Sequence, residues 1–222
     1  AEPHAPAFVW LEAERPLTSD VPRVAWLAPA NERERDVLSA GDWLTCALPA
    51  GRTGMAVYAL HAPTSSAYEV WARGFGIGPA LRWRIDAQEW QAVPAGLRAA
   101  DSLPLDIVSG RYYTASWHLL GQRTLTQGPH RLALELASTG RPMALDCLAL
   151  TAGPFYPRGR LQPGTTYDRA PAGWFPFEPP RDAFAPSPLD LSHLNCCPAG
   201  AHGRVAARGR GGLSGPGRLG RR

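Results

Sequence analysis

The 222-residue chain reads as an all-β protein, an antiparallel sandwich or jelly roll, on three observations. Roughly eight or more short apolar segments recur at spacings of about 10 residues, each bounded by Gly, Pro, Asn or Ser. Within them large apolar side chains alternate with polar or small ones, the two-residue period of a strand with one buried face. No segment carries the period of a long amphipathic helix.

The elements follow in order. Phe8-Val-Trp-Leu-Glu-Ala-Glu14 is the first strand and Arg23 to Leu27 a second candidate. Asn31 to Val37 is charged and suits a solvated loop or one helical turn. Trp43, Thr45 and Ala47 alternate with Leu44, Cys46 and Leu48 until Pro49-Ala-Gly-Arg-Thr-Gly54 breaks the strand. Met55 to His61 and Tyr68 to Arg73 form the next pair. Leu81 to Asp86 precedes Ala87-Gln-Glu-Trp90 and a Pro/Ala/Gly-containing excursion to Gly110. Tyr112 to Leu120 and Arg123 to Thr126 lead into the turn Gln127-Gly-Pro129.

The last two strands are the most regular. Leu132, Leu134 and Leu136 alternate with Arg131, Ala133 and Glu135; after a Ser-Thr-Gly-Arg-Pro turn, Leu145, Cys147 and Ala149 oppose Asp146, Leu148 and Leu150. An ionised Asp in so apolar a strand is costly unless a cation or several donors meet it. Glu12 and Glu14, two apart and so on one face of the first strand, are the candidate partners. Glu12, Glu14 and Asp146 together suit a hard cation such as a structural calcium.

Composition narrows the function classes. All 23 basic residues are Arg, and six of them lie beyond Asn195, where no acid occurs. Residues 1–194 therefore hold seventeen Arg against nineteen acids, net −2, which does not suggest a nucleic-acid partner. No run approaches the roughly 18 apolar residues of a membrane span, so no membrane partner is expected. The chain opens at Ala1 without Met or an apolar leader, as a secreted protein does once its signal peptide is gone, or a shortened chain. Cys46 and Cys147 occupy inward positions and read as buried small hydrophobes, the alternative being a disulfide between them. Adjacent Cys196 and Cys197 lack a second pair at zinc spacing.

Three segments are expected: a sandwich domain over 1–151, a Pro-rich extended arm over 152–198, and an Arg/Gly-rich disordered tail over 199–222. The arm carries ten Pro together with Trp174-Phe-Pro-Phe177, too many large apolar groups for a free tether. The tail cannot bury a core. No nucleophile elbow, phosphate-cradling loop or His-Glu-x-x-His is present, and His61, His118 and His130 stand isolated, so an enzyme is not expected. Trp10, Trp71 and Trp83 lie inside strands and suit the core. Trp90, Tyr112, Tyr113 and Trp117 flank loops and suit stacking on pyranose rings, with Arg111 and Gln122 nearby for hydroxyls.

An ordered set of motifs carries a resemblance. Leu38-Ser-Ala-Gly-Asp-Trp-Leu44, Ala67-Tyr-Glu-Val-Trp-Ala-Arg73, Ile85-Asp-Ala-Gln-Glu-Trp90, Trp117, Leu125-Thr-Gln-Gly-Pro-His130 and Leu145-Asp146 follow the Glu-Ala-Glu of residues 12–14. Over residues 8–151 the chain resembles the calcium-containing jelly-roll carbohydrate-binding modules of families six and thirty-five, in the galactose-binding-like superfamily. The resemblance implies a β-sandwich, a structural calcium near Glu12, Glu14 and Asp146, and recognition of polysaccharide or oligosaccharide by loop aromatics at one end. It departs from the family at Ala144, where an Asn that hydrogen-bonds sugar often stands.

Leu189-Asp-Leu-Ser-His-Leu-Asn195, with Pro198-Ala-Gly200 and His202-Gly203, resembles the lead-in to a catalytic domain in some secreted glycoside hydrolases. The expectation is a secreted, non-catalytic carbohydrate-binding module, with a catalytic domain downstream as a partner. The alternatives are a spacer domain packed on a catalytic neighbour, or an N-terminal fragment of a glycoside hydrolase.

Overall fold

A computed structural model describes residues 7–106 and 111–165. The arm beyond Thr165, the tail and the paired Cys196 and Cys197 lie outside the described residues. The described chain is an antiparallel β-sandwich. One sheet, A, has the order β1 (Phe8–Glu12), β11 (Met143–Thr151), β5 (Ser66–Phe75), β9 (Arg111–Leu125), β8 (Asp101–Asp106), with β3 (Leu44–Cys46) also paired to β11. The other, B, has β2 (Thr18–Ser19), β4 (Thr53–Ala62), β10 (Gly128–Ala137), β6 (Leu81–Ile85), β7 (Gln91–Ala92). Successive long strands switch sheets, β4 in B, β5 in A, β6 in B, and later β9 in A, β10 in B, β11 in A. That alternation is the jelly-roll pattern.

The core lies between the sheets and follows the alternation of the sequence. Ala56, Tyr58 and Leu60 of β4, Tyr68, Val70 and Ala72 of β5, Trp83 of β6 and Leu132, Leu134 and Leu136 of β10 all point into it. β11 is buried at all nine positions because it is flanked by β1 and β3 on one edge and β5 on the other. At Gly74 an added Cβ would sit 2.1 Å from the Ala144 carbonyl oxygen, so only glycine lets β5 and β11 approach here.

Four elements differ from expectation. Arg23 to Leu27 is no strand; Ala25–Leu27 forms a single 3-10 turn. Residues 112–126, read as two strands, are one, because Gly121 at φ 150° absorbs the register shift opposite Val70 and Trp71 instead of ending the strand. β8 emerges from the excursion that the Pro and Ala content made look irregular. In β11 a bulge between Leu145 and Cys147 breaks the alternation, so that Leu145, Leu148 and Leu150 share the core while Cys147 and Ala149 turn outward. The short helix α1 (Glu32–Val37) forms where one helical turn was allowed, with the Asn31 side chain accepting from the Glu34 amide. Cys46 and Cys147 are buried free thiols on opposite faces of sheet A, not a disulfide.

Candidate functional site

The outer face of sheet A is the built side of the molecule. Outward positions of β5 place Glu69, Trp71 and Arg73 in a row, and β1, β9 and β11 add Trp10, Glu12, Trp117, Asp146 and Thr151. Chain segments from both ends of the sequence cross this row and divide it into three zones.

At one end Leu27, Leu38 and Trp43 from the 23–43 segment pack onto Ala115 and Ala144, with Phe75 and Tyr113 alongside. Ala144, the position where the resemblance places a sugar-binding Asn, is thus fully covered. Beside it lies an ion pair with no solvent exposure on either side chain: the Arg73 guanidinium donates to Asp146 at 2.5 Å and to the Val37 carbonyl at 2.9 Å. The Ser39 amide donates to the other Asp146 oxygen at 2.8 Å. Burial pushes the Asp146 carboxyl up, against the pull of the guanidinium and the amide.

The cation expected to meet Asp146 is therefore Arg73, and this corrects the set Glu12, Glu14 and Asp146. Among the described residues no three His, Cys, Asp or Glu side chains form a metal-binding group. Glu12 and Glu14 are another matter. Glu12 Oε1 accepts from the Trp10 indole and the Ser39 hydroxyl, but Glu12 Oε2 and Glu14 Oε2 are both buried without a hydrogen-bond partner. Burial, with Glu12 and Asp42 nearby, raises the Glu14 carboxyl. Two such oxygens fit a hard cation that the third carboxylate does not need.

The middle zone is aromatic. Trp117 packs against Trp10 at 5.7 Å and edge-on against Phe155 at 5.4 Å; Trp71 meets Phe155 at 5.8 Å. Phe155 belongs to residues 152–165, which run over this face after the last strand. The Trp117 indole donates to the Gly159 carbonyl at 2.7 Å, and the Gly159 amide donates to Asp101. Trp117 is 0% exposed, which corrects its assignment as a sugar-stacking ring.

The other expected stacking residues do not converge. Tyr113 packs edge-on against Phe75 at 4.9 Å, in the covered zone. Tyr112 lies on β9, its side chain outside the described residues. Trp90 immediately precedes β7 at the opposite sheet, where the guanidinium groups of Arg84 and Arg82 lie 4.6 and 5.6 Å from its ring centroid. Its face carries arginine.

In the third zone sheet A and the crossing segment leave a groove of about 460 Å³. Glu69, Trp71 and Gln122 form one side, Thr151 the floor, and Ala152 to Tyr156 the other side. Glu69 accepts from the Trp71 indole through Oε2 at 3.0 Å, while Thr151 Oγ1 is buried with no partner. Gln122 was already marked by its closeness to aromatics. Glu69 was legible too, since it stands two residues before Trp71 and so shares its face. A second concavity, about 480 Å³, lies between Phe75–Ala80 and Thr139–Pro142, with Arg141 its one charged residue.

No family model matches the chain, and no curated protein does. Among solved structures the chain is similar to the GH26-CBM35 β-(1,4)-mannanase of Podospora anserina, at 18% identity and TM-score 0.42, over 68% of this chain and 28% of that one. It is similar at 12% identity and TM-score 0.42 to the insecticidal crystal protein Cry2Aa, over 65% of this chain and 21% of that one. The carbohydrate-binding module CBM6cm-2 of Cellvibrio mixtus lichenase 5A, in complex with cellotriose, matches at 14% identity and TM-score 0.39 over 66% of this chain and 98% of that one. The chain spans about a quarter of the length of the mannanase.

Proposed function

We propose that this protein is a non-catalytic carbohydrate-binding module of a secreted glycan-degrading protein, and that the groove beside Glu69 holds a neutral sugar residue. The observation that carries the reading is the groove's chemistry. A pyranose offers a ring of hydroxyls; the groove offers the Glu69 carboxylate and the Gln122 amide as acceptors and donors, on a base formed by the buried Trp71, Phe155 and Thr151. A structural calcium at Glu12 and Glu14 belongs to the same reading, where it would neutralise the two orphaned carboxylate oxygens and join the first strand to the loop that follows. The described residues contain no helix long and apolar enough to cross a membrane.

Affinity electrophoresis of the full chain through gels containing mannan, xylan or β-glucan tests the proposal. At least one should retard the protein, and Glu69→Gln with Gln122→Ala should weaken that binding about tenfold or more, with no change in melting temperature. Retardation by none of them, or binding indifferent to both substitutions, sinks the groove. A second reading, a spacer domain, rests on the burial of Trp117 and Trp71 under Phe155; it expects no glycan binding at all.

A further inference from the structure

Residues 152–165 leave the last strand and cross the outer face of sheet A without joining either sheet. The Ala152 amide donates to the Ala7 carbonyl at 2.8 Å, the Phe155 ring sits against Trp71 and Trp117, and Pro157 and Pro163 are buried. Further along, the segment is pinned at Gly159 from both directions. The Gly159 carbonyl accepts from the Trp117 indole, and the Gly159 amide donates to Asp101 Oδ2. These two partners are register neighbours on β9 and β8, so one place on the sheet holds both sides of the peptide. The approach is close: a Cβ at Gly159 would stand 3.1 Å from Leu103 Cδ1.

This clasp stands apart from the groove. Ala152 to Tyr156 line one side of the groove and Glu69, Trp71 and Gln122 the other; neither Trp117 nor Asp101 lines it. Yet the wall formed by Ala152 to Tyr156 is the first part of the clasped segment, and its Phe155 is held by Trp117 as well as by Trp71. A stretch that belongs to no sheet opens at a lower free energy than the strands beneath it. When it lifts, the pairings of β1, β5, β9 and β11 remain, but the groove loses a side.

We infer that residues 152–165 are a strap latched by Asp101 and Trp117, and that latching and ligand binding in the groove are one coupled event. Asp101 and Trp117 are positioning residues: they hold down the wall that meets the ligand and do not touch the ligand themselves. The inference rests on the reading of the groove as a glycan site. Coupling of this kind is reciprocal, so a glycan that needs the closed wall stabilises the latch by the same factor by which latching raises its affinity. The strap carries its own reporters in Arg158 and Arg160, whose trypsin-sensitive bonds lie at and just past Gly159.

Limited trypsin digestion of the full chain, with mass spectrometry following the Arg158–Gly159 and Arg160–Leu161 bonds, measures the latch, since cleavage tracks the open fraction. Asp101→Ala takes the acceptor from the Gly159 amide and should speed both cleavages about tenfold. Asp101→Asn keeps an acceptor oxygen and should stay near the parent rate. Trp117→Phe keeps a ring without an N–H donor and should open the strap as Asp101→Ala does. Melting temperatures check that each variant is folded, and the two Asp101 variants carry the comparison by themselves if Trp117→Phe is not. A polysaccharide that retards the parent in gels should slow its cleavage at both bonds and should bind Asp101→Ala about tenfold more weakly. Equal cleavage of the parent and Asp101→Ala overturns the latch and leaves the glycan reading intact. Faster cleavage with unchanged glycan affinity overturns the coupling. A parent that no polysaccharide retards, with Asp101→Ala still cleaved faster, overturns the glycan reading and the coupling with it, while the latch stands.

Discussion

The two sheets turn opposite kinds of surface outward. Sheet A carries Trp10, Trp71 and Trp117 on its outer face together with a buried ion pair, and two chain segments lie across it. Sheet B carries Arg82, Arg84, Arg131 and Glu135 on the corresponding face, interspersed with Ala and Met, and what lies against it is the single ring of Trp90 on Arg82 and Arg84. A row of three indoles in water would lose the burial of some 150–250 Å² each, so the chain spends residues 23–43 and 152–165 on covering it. A face of arginines needs no cover. The covered face holds a groove only where its cover stops.

The largest effects should come from the covered face. Arg73→Met leaves the Asp146 carboxylate buried beside Ser39 without its cation and should cost about 3–5 kcal/mol. Replacing both partners, Arg73→Met with Asp146→Leu, should recover much of that loss, and denaturant titration of the two variants checks it. A double variant no better than the single one would mean that the pair holds the 23–43 segment through Val37 and Ser39 more than it balances charge. Trp117→Ala should cost a similar 3–5 kcal/mol, whereas Trp90→Ala on sheet B should change stability by less than about 1 kcal/mol. Equal losses would erase the distinction between the faces.

Calcium comes next. An ion bound by Glu12 and Glu14 stabilises the native state by about 2.7 kcal/mol at 100-fold excess over its Kd. Melts of metal-free protein in EDTA and in excess calcium should then differ by several degrees, and the difference should vanish in Glu12→Gln/Glu14→Gln. Identical melts of the parent protein dispose of the ion.

The smallest effect belongs to sheet B. His130 Nε2 donates to the Thr126 carbonyl, 2.8 Å away, and Nδ1 faces the Asp86 carboxylate, 2.7 Å away, to which it donates when the ring is protonated. The Asp86 hydrogen bond, then the carbonyl, raise its pKa above 6.5. A raised folded value means that its contribution is fully present below about 6.5 and fades as pH rises through the folded value. His118, buried and lowered, has the opposite sign: its contribution is present above about 6.5 and lost as pH falls. The stability difference between the parent and His130→Gln isolates the first term and should shrink between pH 6 and pH 8.5. A difference that grows over this range would contradict the assignment.

What was legible in the sequence was set by local pattern. Strands whose alternation is intact, such as Leu132, Leu134 and Leu136 of β10, were readable with their inward faces. β9 was misread because Gly121 looks like a terminator, and only its partner strand shows that it is a bulge. Asp146 announced that it needed a partner, but the partner, Arg73, is 73 residues away on β5. The sequence showed only that Arg73 stands at two-residue spacing from Glu69 and Trp71, on the face opposite Tyr68, Val70 and Ala72; that this face is buried from Val70 to Gly74 emerges in the fold. Trp117 and Trp90 could not be told apart by sequence, since one is covered by Phe155 and the other by arginines of its own sheet. Covering is decided in three dimensions.

The pairing of β1 with β11 has a consequence for how the protein is made. Phe8 to Glu12 lies against residues 147–151, so β1 must wait for β11 to be synthesised. Until the ribosome has released Thr151, β5 lacks one neighbour, β1 has none, and Trp10 and Trp71 have no Phe155 to meet. Such high contact order slows closure and leaves strand edges open to other chains. A nascent chain stalled before residue 143 should therefore be captured by holdase chaperones, and one stalled well beyond residue 165 should escape them.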